Sequence, residues 1–350
     1  MAISSRAYAL RIGKLAGQLA RRHVGAMFLE PGSNFRYLTG LELGRSERLI
    51  AAVLTAAGEL HLVGPAFEEE RLRRCAAPAR IGTWLEDQDP VLLVCDAVVS
   101  GGADTIVAVG PTTRFFVVES LRVTLPGYNM VDAGPVIEEA RLRKDKAELS
   151  AMRAACRKTR EIMASVPKIA RAGMTEVELA RKIGGGIVQF GENAAIPHGG
   201  PSDRRLKKGD VILVDTGHTV DGYCSDLTRT FFFGRKTKEF TKVYEIVEKA
   251  QKAAIKAVKP GATCQSVDAA ARRIIEDAGY GNYFIHRTGH GLGLDVHEQP
   301  YLVKGNKTKL RPGMVVTIEP GIYVPGRFGV RIEDDVAVTK TGRSVLSSGR

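Results

Sequence analysis

The sequence predicts an α+β protein in two domains: a small N-terminal α/β domain over residues 1–133, a linker over 134–146, and a C-terminal α+β domain over 147–350. Three observations predict it. LKKGDVILVDTG at 206–217 and LRPGMVVTIEPG at 310–321 repeat leucine, glycine, valine, an acid and glycine 104 positions apart. A pair of helical segments precedes each copy, 145–168 with 175–189 and 238–258 with 264–278, and the turns ARAGMT and VKPGAT join them alike. Residues 1–133 instead alternate helical and strand signals. The repeat predicts a pseudo-twofold sheet with helices outside it.

The first segment, MAISSRAYALRIGKLAGQLARRHV, lacks a continuous apolar run, and Ile12, Leu15 and Leu19 recur at helical spacing, so an amphipathic helix is expected rather than a signal peptide. AMFLE and FRYLTG follow. LIAAVLTAAGELHLVG then turns at Ala57-Gly58, a charged helix is expected around 66–75, and VLLVCDAV, TIVAVG and FFVVESL complete a small domain with a mixed sheet. No catalytic cluster is visible there. GPVIEEARLRKDK reads as the linker.

Each repeated segment is one arm of a hairpin that carries a second acid on its return. VILVDTGHTVDGYCSDLTRTFFF turns at Asp221-Gly222 and brings Asp226 back toward Asp215. VVTIEPGIYVPGRFGVRIEDDVAV turns around Gly326 and brings Glu333 back toward Glu319. A centre at Gly326 sets Glu319 opposite Glu333, with Cβ atoms roughly 5 Å apart. A centre between Asp221 and Gly222 makes Asp215 and Asp226 diagonal neighbours on one face, and a shift of one residue makes them direct partners. Four carboxylates so close repel and stay partly protonated unless multivalent cations neutralise them.

HRTGHGLGLDVHEQP adds an imidazole. His290 lies between Gly289 and Gly291, which permit close backbone approach to a ligand, and it supplies a fifth donor to the four acids. Four carboxylates and one nitrogen suit two divalent ions sharing a water, with Mn²⁺ favoured by the oxygen-rich set and Zn²⁺ or Co²⁺ also accommodated.

The series VDTG, CSDLTRT, TGHGLGLDVHE, IEPGIY and RIEDD resembles the pita-bread metallopeptidases, in the branch of Xaa-Pro dipeptidase (prolidase) and aminopeptidase P. The resemblance covers roughly residues 140–345 closely, and GSNFRYLTG is similar to part of the family's creatinase-like N-terminal domain. It implies metal ligands Asp215, Asp226, His290, Glu319 and Glu333, and a bridging hydroxide that attacks the bond before proline, with Glu319 managing its proton. It further implies that His198 donates to the oxyanion or the leaving nitrogen, that His297 holds the proline-side carbonyl or carboxylate, and that Arg331 supports both. Tyr323 is implied as substrate-binding, and Asp335 as part of the same network. A homodimer is implied too. His198 precedes Asp215 by 17 positions and His290 precedes Glu319 by 29, which loosely extends the duplication.

Five scattered cysteines, at 75, 95, 156, 224 and 264, give no disulfide framework and point to a reducing cytoplasm. Cys224 shares a strand face with Asp226, where a small packing residue is expected rather than a soft ligand. The net charge of +12 raises nucleic-acid binding, but the basic groups RLRR, RLRKDK and RRLKK are dispersed without interleaved aromatics, so no nucleic-acid partner is expected. No apolar run approaches the length of a membrane span. Gly184–Gly186 has neither dinucleotide nor P-loop spacing.

The expected activity is therefore cleavage of Xaa-Pro dipeptides, small peptides with proline in second position. Aminopeptidase P action on longer peptides is the alternative, since the metal ligands are the same. Methionine aminopeptidase is disfavoured by the large N-terminal domain, His297 and Arg331. The intact ligand set disfavours a metal-free creatinase-like enzyme and a non-catalytic binding module.

Overall fold

The computed structural model describes residues 3–348. The chain divides between Arg141 and Leu142 into two compact units. The N-terminal unit contains α1 (Ser5–Arg21), β1 (Ala26–Leu29), α2 (Ser33–Thr39), β2 (Ala51–Thr55), β3 (Leu60–Pro65), α3 (Glu69–Leu72), β4 (Arg80–Trp84), α4 (Pro90–Val99), β5 (Ile106–Val109), α5 (Phe115–Thr124) and β6 (Asn129–Asp132). Its sheet is mixed, in the order β4-β3-β2-β1-β5-β6. The first helix buries Ile12, Leu15 and Leu19 as their spacing predicts. VLLVCDAV and FFVVESL form helices α4 and α5 rather than strands. Asp89 caps α4 and Pro90 occupies its first turn, while α5 buries Val117 and Leu121 four residues apart. The expected linker is itself helical over Gly134–Leu142 (α6), with Val136, Ile137 and Ala140 buried.

The C-terminal unit opens on α7 (Lys146–Ile169), started by a capping box of Asp145 and Glu148, and α8 (Glu176–Ile183), started by Thr175 and Glu178. The expected helix 175–189 ends early. Gly184, Gly185 and Gly186 all have positive φ, and the chain leaves them as β7 (Ile187–Phe190). Then come β8 (Val211–Thr216), β9 (Thr219–Val220), β10 (Tyr223–Cys224), β11 (Leu227–Phe232), α9 (Lys238–Ala257) and α10 (Cys264–Asp277). The chain closes with β12 (Gly289–Gly291), β13 (Glu298–Leu302), β14 (Val315–Ile318), β15 (Gly321–Val324), β16 (Phe328–Arg331), β17 (Asp334–Val338) and β18 (Arg343–Val345).

The duplication is visible in the backbone. Gly173 N–H donates to Leu206 O and Leu206 N–H to Met174 O; in the second half Gly261 donates to Leu310 and Leu310 to Ala262. Isolated bridges join Thr175 to Arg205 and Thr263 to Lys309, so each turn between helices is clipped to the entrance of its hairpin. Inner strands pair as β11-β8-β7 and as β13-β12-β14-β17-β18. One core of the unit gathers Phe240, Val243 and Val247 from α9, Val267 and Ala271 from α10, and Val316, Ile318 and Val336 from the sheet.

All five cysteines are free thiols, four of them buried. Burial raises every one: Cys95 and Cys264 are pushed up to about 11, and Cys75, Cys156 and Cys224 also rise. Protonated thiols are poor nucleophiles. Native protein at pH 8 is therefore expected to resist iodoacetamide, with five additions appearing by mass only after unfolding. Rapid native labelling at several positions would contradict this burial.

Candidate metal centre

The second hairpin has the register that its turn predicts, and the first takes one of the two that the sequence left open. Asp221 and Gly222 both have positive φ, the conformation of a two-residue turn matched to strand twist, and Thr228 pairs with Asp215. Asp226 therefore lies diagonally from Asp215 on the same face, the first of the two registers left open by the sequence. In the second hairpin Gly321 pairs with Arg331 and Ile318 with Asp334, which leaves Glu319 and Glu333 opposite each other where the ladder is interrupted. Backbone satisfaction there comes from neighbouring strands: Glu319 N–H donates to Thr288 O and Glu333 N–H to Thr228 O.

His290 arrives on β12. A Cβ on Gly289 or Gly291 would collide with the carbonyl oxygens of Thr317 and Gln299, so the flanking glycines admit neighbouring strands rather than a ligand. The His290 Nδ1 lies 3.0 Å from Gly291 O. Its Nε2 lies 3.2 Å from Glu319 Oε1 and 3.9 Å from Asp226 Oδ2. His198 is not its counterpart in the duplication. The registers that pair Ile187 with Asp215 and set Thr288 beside Glu319 make Gln189 the counterpart of His290.

All five residues line one cleft of about 600 Å³ together with His198, His297 and Arg331. Donor atoms of Asp215, Asp226 and Glu333 lie within 4.8 Å of one another, as do those of His290, Glu319 and Glu333, and those of Asp226, His290 and His297. Burial, then repulsion from Asp215, Asp335 and Glu319, raises Asp226 well above the usual carboxylate range. Burial, then Asp226, Glu319 and Asp215, does the same to Glu333. For Glu319, burial is outweighed by His290, His286 and Arg331, which hold it low. The donor set fits divalent cations: clustered acids that retain protons by themselves become ionised ligands when positive charge sits among them.

Arg331 ties the hairpins together from beneath. It is 2% exposed; its Nη2 donates to Asp215 Oδ2 at 2.6 Å, its Nη1 to the Tyr323 hydroxyl at 2.7 Å and its Nε to Thr228 Oγ1 at 3.1 Å. Tyr323 does not line the cleft. Its hydroxyl is held between Arg331 and His286 Nε2, the latter at 2.8 Å, so it positions Arg331 where direct contact with substrate was expected. Burial lifts Tyr323 to about 12 and lowers His286. Asp335 is fully buried, accepts from Asp226 N–H at 3.1 Å and from the Cys156 thiol at 3.2 Å, and burial raises it to about 7. Cys224 stays outside the cleft, its thiol near Thr219 and Leu294 O.

Several supporting residues carried no sequence signal strong enough to single them out. Thr228 Oγ1 donates to Glu333 at 2.6 Å and Thr317 Oγ1 to Glu319 at 3.2 Å, but threonine in a strand is ordinary. His286, four residues before His290 in FIHRTGH, does carry a signal, a second histidine at the edge of the glycine-rich segment. Glu176, fully buried, accepts from Phe190 N–H, Asn193, and both Ser202 N–H and Oγ, and so fixes the segment that carries His198. Gln189 adds a bond to Ile196 O at 2.8 Å. His198 and His297 are both exposed on the cleft wall, and the His297 ring meets His290 edge-on at 4.2 Å.

Residues 150–340 match metallopeptidase family M24, and residues 11–143 match the creatinase/prolidase N-terminal domain. A relative named probable dipeptidase PepE, from Mycobacterium bovis, is 40% identical over 96% of this chain and 93% of its own length. The crystal structure of dipeptidase PepE from Mycobacterium ulcerans superposes with a TM-score of 0.92 at 38% identity, covering 100% of this chain and 98% of that one. A recombinant prolidase from Thermococcus sibiricus gives a TM-score of 0.91 at 38% identity, covering 98% and 97%. With both halves matched and the paired hairpins in register, the chain belongs to metallopeptidase family M24.

Proposed function

We propose that the protein is a dipeptidase of the prolidase type, hydrolysing Xaa-Pro dipeptides with two divalent cations held by Asp215, Asp226, His290, Glu319 and Glu333. One observation carries the reading: Glu333 belongs to two donor groups at once, with Asp215 and Asp226 on one side and His290 and Glu319 on the other. A carboxylate shared in this way suits a bridge between two ions. Oxygen-rich coordination favours Mn²⁺. When bound, the cations would make a shared water acidic enough to react at neutral pH and polarise the scissile carbonyl.

The chain's own residues supply orientation and proton transfer. Glu319, kept ionised, accepts the proton of the attacking water and returns it to the departing proline nitrogen, which has no N–H of its own. His198, exposed on the wall of the cleft, donates to the developing oxyanion. His297, exposed at its edge but partly desolvated by the cleft wall, is held below its ordinary value by that desolvation and then by His290 and Arg287, so a neutral imidazole N–H meets the substrate's proline-side carbonyl or carboxylate. Arg331 acts through Asp215 and Tyr323 rather than on substrate, because its donors are already engaged.

His198→Ala is expected to lower kcat by about 10²- to 10³-fold, the usual loss for one oxyanion donor. A change confined to KM would reassign it to substrate binding. The function is tested by Ala-Pro, Met-Pro and Ala-Pro-Ala with added Mn²⁺. Cleavage restricted to the dipeptides supports the proposal; efficient tripeptide turnover replaces it with aminopeptidase P. Cleavage of Ala-Ala as fast as Ala-Pro would remove the proline specificity.

A further inference from the structure

Behind the second hairpin, two adjoining cavities of about 660 and 380 Å³ lie between α7, β11 and β18, and share Arg157, Arg160, Val345 and Ser348. Together they form one trough edged by four guanidinium groups, those of Arg153, Arg157, Arg160 and Arg229. Its floor is apolar, with Met163 and Leu227 buried and Phe231 half-buried. Arg153, Arg157 and Arg160 stand three and four residues apart on α7, and so on one helix face, where like charges at this spacing repel.

Other helical cations are answered differently. Arg71, Arg73 and Arg74, in and just after α3, and Lys252 on α9 each have an acid three or four residues earlier, and each forms that ion pair. The corresponding positions before Arg153, Arg157 and Arg160 hold no acid. Arg153 donates only to Ser344 Oγ and Arg160 to Ser348 O, both neutral acceptors, while Arg157 has no hydrogen-bond or ion-pair partner among the described residues. The acids within reach are Glu161, which forms no ion pair among the described residues, and Asp334, already engaged by Arg229, Gln251 and Ser347. The trough therefore keeps a positive excess over an apolar floor.

We infer that this trough is a binding site for an organic phosphate, with Arg157 and Arg160 gripping the phosphate group and Met163, Leu227 and Phe231 receiving its apolar or aromatic body. Guanidinium forks match phosphate oxygens in pairs, and the volume is that of a small-molecule site. The site also sits behind the catalytic hairpin. Arg229 donates to the Glu333 carbonyl, and Ser347 Oγ accepts from Asp335 N–H at 3.2 Å.

Calorimetric titration of the metal-loaded protein with AMP and with inorganic phosphate tests this, using wild type and R157Q/R160Q. The expected result is that AMP binds more tightly than phosphate, and that the double variant weakens AMP by at least about tenfold, two charge-assisted contacts being lost. Thermal melting should be unchanged, since neither arginine is buried; Arg157→Gln by itself, weakening AMP by a smaller factor, serves if the double variant melts early. Equal AMP binding by wild type and variants would show that AMP binds outside the trough and overturn the inference. So would AMP binding no tighter than inorganic phosphate, or no AMP binding at all.

Discussion

Asp226→Asn and Glu333→Gln each abolish measurable hydrolysis of Ala-Pro and leave the metal-free fold at least as stable as wild type. The two halves of this expectation have one cause. Asp226 and Glu333 are buried carboxylates whose ionisation is opposed by desolvation and by each other, so a neutral isostere removes repulsion in the absence of metal. The same change deletes an anionic donor from the cluster in which Glu333 is shared. Outer partners of metal ligands alone are worth about 10- to 100-fold in activity or affinity, so loss of a ligand should exceed that range. Activity assays, bound metal after dialysis and thermal melting of the apoprotein check the three parts. Turnover within tenfold of wild type by either variant refutes the ligand assignment.

Arg331→Met is the second large effect, and here stability and activity fall together. The guanidinium is buried with Asp215, Tyr323 and Thr228 as acceptors, and methionine fills similar volume without a donor. Removing one member of a buried pair leaves the other charge uncompensated, at a cost of about 3–5 kcal/mol. For a unit of this size that corresponds to a fall in melting temperature of roughly 10 °C. Added Mn²⁺ should restore part of the loss, because ions binding only the native state supply the positive charge that Asp215 has lost. Arg331→Lys keeps charge but not the fork, and is expected to fall between the two. A melting temperature within about 1 °C of wild type for Arg331→Met would show that Asp215 is not held by this contact.

The pairing of acids was legible because hairpin register is local. An Asp-Gly turn sets the alignment of its flanking strands, and a two-residue side-chain period then fixes which acids share a face; Asp215 with Asp226, and Glu319 with Glu333, follow from counting. The helices before each hairpin were likewise readable from spacing and caps, apart from the end of α8. There three consecutive glycines with positive φ stop a pattern whose apolar residues continue into β7. Apolar β-branched runs such as VLLVCDAV fit a buried helix as well as a strand, and only packing chose between them.

What the sequence by itself determined is therefore the duplicated hairpins, their four carboxylates and the membership of His290, since each depends on residue types at short, fixed separations. Tertiary structure alone decided how that set is held. Arg331 reaches Asp215 across 116 positions, Glu176 fixes the His198 segment through Ser202, and Tyr323 braces the guanidinium rather than lining the cleft, with His286 bonded to its hydroxyl. The Arg331–Asp215 contact joins the two hairpins and the others join segments within one repeat, and a side-chain hydrogen bond between segments apart in sequence leaves no periodicity along the chain.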